Sequence, residues 1–352
     1  MSIGNLILSV MNNIKRKEIF ILMLCLLIGF ALRFYTFDQK SLWLDEIYTF
    51  NDSQDGLKKQ LEFYKENPTF LHPPLFFILT HQFYPFNKPE RDLRIIPLIF
   101  GTLSIPMIYF LARQFSSAIA LPCAISLTFM TYHINLSQEG RSYAFLLFFG
   151  MAGLTCLMRY LRTSRSWLLI GASAFYALLF HTSYSSIPFI ALSQIVWFYQ
   201  TEDNQKFPRY ISILIFNGLI LLFCLPWLIF LGLNYNGQSF MIPHQSKEVI
   251  FFWNMLYGIF HDWTPYLPLT TTTILLFLFF PLFHSNKRNA FILIAAFLFP
   301  IIGLYFYCKA FNITHFISSR YFIAFLPFLL IALYLSIQSF EVAIPPLSDF
   351  SD

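Results

Sequence analysis

The chain has 352 residues, 57% of them hydrophobic and only 12% charged, with a formal net charge of +5. Soluble domains carry about 25% charge, so a large soluble globule is excluded and a polytopic membrane protein is expected. The net charge is too small and too dispersed for a nucleic-acid surface.

Lys15, Arg16 and Lys17 precede a first apolar run at 19–37. No small-residue cleavage site follows it, so an uncleaved helix with a cytoplasmic N-terminus is expected. Further runs lie at 94–112, 118–136, 143–161, 167–183, 186–200, 210–233, 267–283, 290–307 and 321–338, which makes ten spans in all. Those at 167–183 and 186–200 are short for a bilayer. Pro106, Pro122, Pro226 and Pro300 fall inside runs, where neighbouring helices can satisfy the freed carbonyls. The fold class is therefore all-α, a transmembrane bundle of about 10–11 helices. Residues 1–340 form the membrane domain and 341–352 a short tail without regular structure.

The run "HPPLFFILTHQFYPF", His72 to Phe86, is short and bounded by prolines. Basic residues favour cytoplasmic loops, and they decide whether it spans. If it does not, Arg113, Arg159, Arg162, Arg165, Lys206, Arg209, Lys287 and Arg288 are cytoplasmic, against Arg141, Lys247, Lys309 and Arg320 outside. If it spans, that bias inverts. The run is therefore placed at the outer face, so the first extracytoplasmic loop carries interfacial helices. The segment from Asn234 to Pro265, rich in aromatics, is expected outside as well, with an interfacial helix of its own.

This topology gathers the polar motifs on one side. "SLWLDEIYTF" places Asp45 and Glu46 just beyond the first helix. Taken alone, the pair also suits a plain loop with Trp43 and Tyr48 as interfacial anchors. "HPPL" offers His72, and "SQEGRSYAF" sets Glu139 and Arg141 directly before a helix. An arginine can hold a phosphate through its planar fork of donors, and a carboxylate can take a proton from a hydroxyl. Carboxylates, an arginine and a histidine beside lipid suit chemistry between a hydroxyl and a lipid-linked phosphate. Five cysteines (Cys25, Cys123, Cys156, Cys224 and Cys308) show no CxxC spacing, and the eight histidines no HExxH. Neither a disulfide framework nor a zinc cluster is implied.

The ordered set "LWLDE", "HPPL", "SQEGRSYA" and, late in the chain, "RYFIAFLP" (Arg320 to Pro327) resembles the GT-C glycosyltransferases. It is most similar to the glycosyltransferase family 39-like group, the branch of protein O-mannosyltransferases and lipid A aminoarabinose transferases. The resemblance runs from about Lys17 to Gln338. It implies an inverting transfer from a polyprenyl-phosphate-linked sugar donor to a lipid, glycan or protein acceptor at the outer face of a plasma membrane of bacterial type. By the same resemblance Asp45 is catalytic and Glu46 assists it or holds a divalent cation. His72, Glu139 and Arg141 bind the donor phosphate. A metal site of Asp45, Glu46 and His72 is compatible with the sequence but not required by it. Gly140 stands where alanine is common and is expected to be harmless. Many relatives continue beyond a tenth span, which leaves acceptor recognition undefined. Two other readings stand beside this one. A transporter would place polar groups near the midplane within repeated halves, whereas these cluster at one face and no repeat is visible. An inactive relative would serve as a scaffold.

Overall fold

A computed structural model describes residues 15–67, 72–199, 209–235, 251–311 and 318–343, and among these every regular element is helical. The first long helix, α1 (Arg16–Phe34), is followed by three short ones: α2 (Leu44–Ser53), α3 (Leu57–Glu66) and α4 (Leu75–His81). Helix α4 is the "HPPL" run. Its seven residues rise about 10 Å, a third of a hydrocarbon core of about 30 Å, so it does not span.

Next come α5 (Pro89–Asp92), α6 (Ile95–Ala112), α7 (Ser117–Phe129), α8 (Thr131–Ser137), α9 (Tyr143–Thr163) and α10 (Ser166–Thr182). After α10 the chain is broken into a 3-10 turn (Tyr184–Ser186), α11 (Ile187–Leu192) and a second 3-10 turn (Ser193–Phe198). The rest comprises α12 (Arg209–Asn234), α13 (Phe252–Trp263), α14 (Leu267–Phe283), α15 (Lys287–Phe311), a 3-10 turn (Ser319–Phe325) and α16 (Leu326–Ala343).

The expected runs are all helical, but not all are membrane-length helices. Among the described residues five helical stretches are long and apolar enough to cross, and up to seven if each bent pair counts as one span. One bent pair is α7 with α8, angled at 62° where a single span was expected. Here the carbonyls of Leu127 and Thr128 lose their helical partners. The fully buried Arg33 donates to both, at 2.9 and 3.3 Å, and also to His133 Nδ1 at 2.8 Å. The other pair is α13 with α14, bent by 113°, which gives the expected short aromatic helix before the span. Residues 236–250 of that segment lie outside the described residues. Ser183, extended and with its side chain capping the next turn, separates the run at 186–200 from α10, and the run is divided again at Ser193, where α11 gives way to the second 3-10 turn. Helix α16 runs to Ala343, so part of the expected tail is helical, and 344–352 lie outside the described residues.

Helix α9 is the central post. It packs against α6, α10 and the Ser319–Phe325 turn, and most of its residues are buried. On the bundle's outside, Phe20, Leu27, Leu214, Leu222 and Phe291 are exposed, as lipid-facing surfaces require. Gly101 on α6 sets a close approach, because a β-carbon there would overlap Ser137 Oγ. That contact seats the end of α8, and the SQEGRSY segment behind it, against α6.

Candidate active site

The acidic pair divides its labour by helix geometry, since neighbours on a helix point about 100° apart. Glu46 points inward and is fully buried. Arg94 grips it as a fork, Nε to Oε1 at 2.7 Å and Nη2 to Oε2 at 2.6 Å. The backbone N–H groups of Gly140 (2.6 Å) and Trp43 (3.3 Å) also donate to it. The remaining donors of Arg94 go to the carbonyls of Phe37, Lys40 and Ser41. Glu46 therefore ties three segments together: the end of the α1–α2 connection, the start of α6, and the SQEGRSY segment. Gln138 adds a second tie, its Nε2 donating to the carbonyls of Arg33 (3.0 Å) and Tyr35 (2.8 Å) at the end of α1.

Gly140 sits inside this knot. A β-carbon there would lie 3.0 Å from Leu93 Cβ and 3.2 Å from Glu46 Oε1, so its place is tight and not the neutral position expected from sequence.

Asp45 faces the other way and keeps about a quarter of its side chain exposed. Its Oδ2 stands between two guanidinium groups, 3.9 Å from Arg141 Nη2 and 3.8 Å from Arg320 Nη1. Both separations exceed hydrogen-bond length, so the carboxylate's lone pairs stay available. Arg141 is held instead by its Nη1, which donates to the Asp45 carbonyl (3.1 Å) and to Thr49 Oγ1 (3.2 Å). The Arg320 guanidinium lies over the rings of Trp43 (5.1 Å), Tyr321 (5.6 Å) and Tyr143 (5.8 Å), a stacking suited to a planar cation.

Several polar atoms of this cluster are buried without a hydrogen-bond partner among the described residues: Arg141 Nε, Arg320 Nε, Trp43 Nε1, Tyr143 Oη and Glu139 Oε2. Four of the five are donors or can donate. Unspent buried donors are costly, and here they surround two arginines. Burial and the nearby Glu46 carboxylate push the Glu139 carboxyl up to about 7, against the pull of Arg320 and Arg141. His72 lies close enough to feel Arg141, and burial followed by that charge lowers its pKa, so its ring is neutral at pH 7 and offers hydrogen bonds, not charge.

The structure thus brings Asp45, Glu46, Glu139 and Arg141 together, with His72 in electrostatic reach of Arg141. A shared metal site is not formed by these side chains. Among the described residues no three of His, Cys, Asp and Glu gather at metal-binding distances, and both Glu46 oxygens already accept hydrogen bonds. Two residues were not singled out from sequence. Arg94 was visible only as a charge opening an apolar run. Arg320 was visible as the first residue of "RYFIAFLP".

The fold and this one-sided polar cluster define an α-helical integral membrane protein of the multi-pass type. More narrowly, the fold is the GT-C fold seen in the structures of ArnT and an archaeal oligosaccharyltransferase. The family model for dolichyl-phosphate-mannose-protein mannosyltransferases matches residues 71–230. ArnT from Cupriavidus metallidurans in the apo state superposes with a TM-score of 0.66 at 14% identity, covering 93% of this chain and 60% of that one. The same protein bound to undecaprenyl phosphate gives 0.62 at 13% identity, covering 90% and 60%. The Archaeoglobus fulgidus oligosaccharyltransferase, in complex with Zn and sulfate, gives 0.55 at 14% identity, covering 94% and 51%. The chain thus spans only about three fifths of the length of the ArnT structures. No curated protein sequence matches it.

Proposed function

We propose that the chain is a glycosyltransferase that moves a sugar from a polyprenyl-phosphate donor to an acceptor hydroxyl at the extracytoplasmic face, with inversion. The observation that carries this reading is Asp45, half-buried between Arg141 and Arg320, whose Nε donors are buried and unspent. With Glu46 neutralised by Arg94, Asp45 is the one carboxylate within ion-pair distance of Arg141 and Arg320. Two guanidinium groups with unspent Nε donors suit the negative charge of a phosphodiester. Likeness to ArnT, seen bound to undecaprenyl phosphate, and the match to a dolichyl-phosphate-mannose-dependent family support a lipid-linked phosphate of this kind.

In the proposed reaction the acceptor oxygen forms a bond to the anomeric carbon while the bond from that carbon to the phosphate oxygen breaks. The acceptor proton passes to Asp45, and the polyprenyl phosphate leaves with its charge held by Arg141 and Arg320. His72 hydrogen-bonds the donor phosphate as a neutral ring. Glu46 positions Asp45 and Arg141 without reacting. The acceptor is a lipid, glycan or protein hydroxyl.

The test uses the full chain in lipid nanodiscs. Asp45→Asn removes the base but keeps the shape. Turnover should fall by about 100-fold or more, while affinity for undecaprenyl phosphate is retained. Arg141→Lys replaces a fork by a point charge and should weaken undecaprenyl phosphate binding by about 10-fold. Near-normal turnover by Asp45→Asn removes Asp45 from the chemistry.

A further inference from the structure

Helix α2 carries a second acid that this reaction does not use. Asp52 follows Asp45 by seven residues, two helical turns, so both carboxyls fall on one face about 10 Å apart. Thr49 lies between them on the same face, and Arg141 grips the middle of this stripe through Thr49 Oγ1 and the Asp45 carbonyl. The Asp52 carboxyl makes no hydrogen bond or ion pair among the described residues. Burial pushes it up to about 6, with Arg141 pulling the other way, so Arg141 is its nearest charge of consequence.

The far end of the stripe is walled by aromatics. Tyr64 on α3 is 1% exposed, yet its Oη has no partner among the described residues. Burial, then the Asp52 carboxylate and Tyr184, push the Tyr64 phenol's pKa up. The Tyr64 ring meets Trp227 edge-on with centroids 6.1 Å apart, and Trp227 Nε1 donates to Tyr184 Oη at 2.9 Å. Gln60 Nε2 donates to the Asp52 carbonyl at 3.0 Å and locks α3 against α2. An acceptor carboxyl one helical turn beyond the Thr49 that Arg141 holds, and a buried, unspent hydroxyl one turn beyond the Gln60 that grips the Asp52 carbonyl, therefore share the aromatic end of the stripe.

We propose that Asp52 and Tyr64 recognise the sugar ring of the donor, Asp52 accepting hydrogen bonds from ring hydroxyls and Tyr64 donating one, while the phosphate lies at Arg141. This rests on the polyprenyl-phosphate reading above and names what the site recognises: the free ring hydroxyls of a lipid-linked monosaccharide. A ring of this kind needs acceptors and a donor at fixed spacing, with apolar walls for its C–H faces. Asp45 then remains free for the acceptor at the anomeric carbon.

The experiment measures binding to the full chain in nanodiscs, with four probes: undecaprenyl phosphate, and undecaprenyl phosphate carrying mannose, glucose or galactose. Wild type should bind at least one sugar-bearing probe more tightly than the bare lipid phosphate. Asp52→Asn and Tyr64→Phe should each erase about 10-fold of that sugar-dependent gain and leave undecaprenyl phosphate affinity unchanged. Tyr64→Phe keeps the ring on Trp227, so loss of packing does not mimic the result. Arg141→Lys should weaken all four probes alike. The proposal is overturned if Asp52→Asn and Tyr64→Phe change all four equally or none. It is also overturned if they act only on the acceptor's KM, or if no sugar adds affinity in wild type. Failure of wild type to bind undecaprenyl phosphate at all would instead overturn the functional reading beneath it.

Discussion

Replacing Arg94 by methionine tests the claim that Glu46 is a fastening and not a reactant. In the folded chain Glu46 is fully buried and Arg94 supplies two of its four hydrogen bonds, at 2.7 and 2.6 Å. Arg94→Met leaves a buried carboxylate facing a thioether. Breaking a buried pair from one side costs about 3–5 kcal/mol. The N–H groups of Gly140 and Trp43 remain on Glu46, so the lower end applies, about 3 kcal/mol or roughly 100-fold in the unfolding equilibrium. Unfolding by SDS titration in mixed micelles, followed by tryptophan fluorescence, measures this. The double variant Glu46→Gln/Arg94→Met removes the stranded charge and should recover part of the loss, giving a non-additive cycle. The control is Lys59→Met, which breaks an exposed pair to Asp55 at 3.4 Å and should cost well under 1 kcal/mol. If Arg94→Met is no worse than Lys59→Met, or if the double variant is simply additive, Glu46 is not held as described. Because the same knot carries Gly140, Arg94→Met should also lower undecaprenyl phosphate affinity through displacement of Arg141.

Gly140→Ala pushes a β-carbon to 3.2 Å from Glu46 Oε1 and should lower stability by about 1 kcal/mol in the same titration, where no change at all would show that the knot yields freely. Glu139 has its pKa raised from 4.5 to about 7, so the folded chain binds the extra proton between those values and stability falls as pH rises across that window. Glu139→Gln should remove this slope, read as the difference from wild type because Asp52 acts in the same direction and His72 in the opposite one; an unchanged slope would place Glu139 in a wetter setting. For topology, cysteines replacing the exposed Gln39 and Lys59 should react with an impermeant thiol reagent in intact cells and one replacing the exposed Ser285 should not; the reverse pattern would invert the proposed orientation.

Much of the architecture was legible in the residue order, because a lipid solvent leaves a chain few choices. Every peptide group within the hydrocarbon must be paired internally, so long apolar runs become helices wherever they occur. That is why the runs read as α1, α6, α9, α12, α15 and α16 are helical, and why His72–Phe86, too short and wrongly placed for the charge bias, became the short α4. Asp45, Glu139 and Arg141 were also legible as a set, since the order of the spans and the bias of the basic residues put the run ends that carry them at the same membrane face. What the order of residues could not settle was which partner each charge takes. Asp45 and Glu46 are neighbours of equal charge, and only the rotation of α2 against α6 sends Glu46 to Arg94 and leaves Asp45 partly open to solvent. The break between α7 and α8 depends on Arg33 reaching carbonyls of Leu127 and Thr128 from another helix, and hydropathy carries no trace of it. Arg320 meets Asp45 across 275 positions of chain, and Asp52 gains its setting from Tyr64 on the following helix. Hydropathy is a property of each segment by itself and survives in one dimension, whereas the pairing of charges is a property of distances, which exist only once the helices are packed.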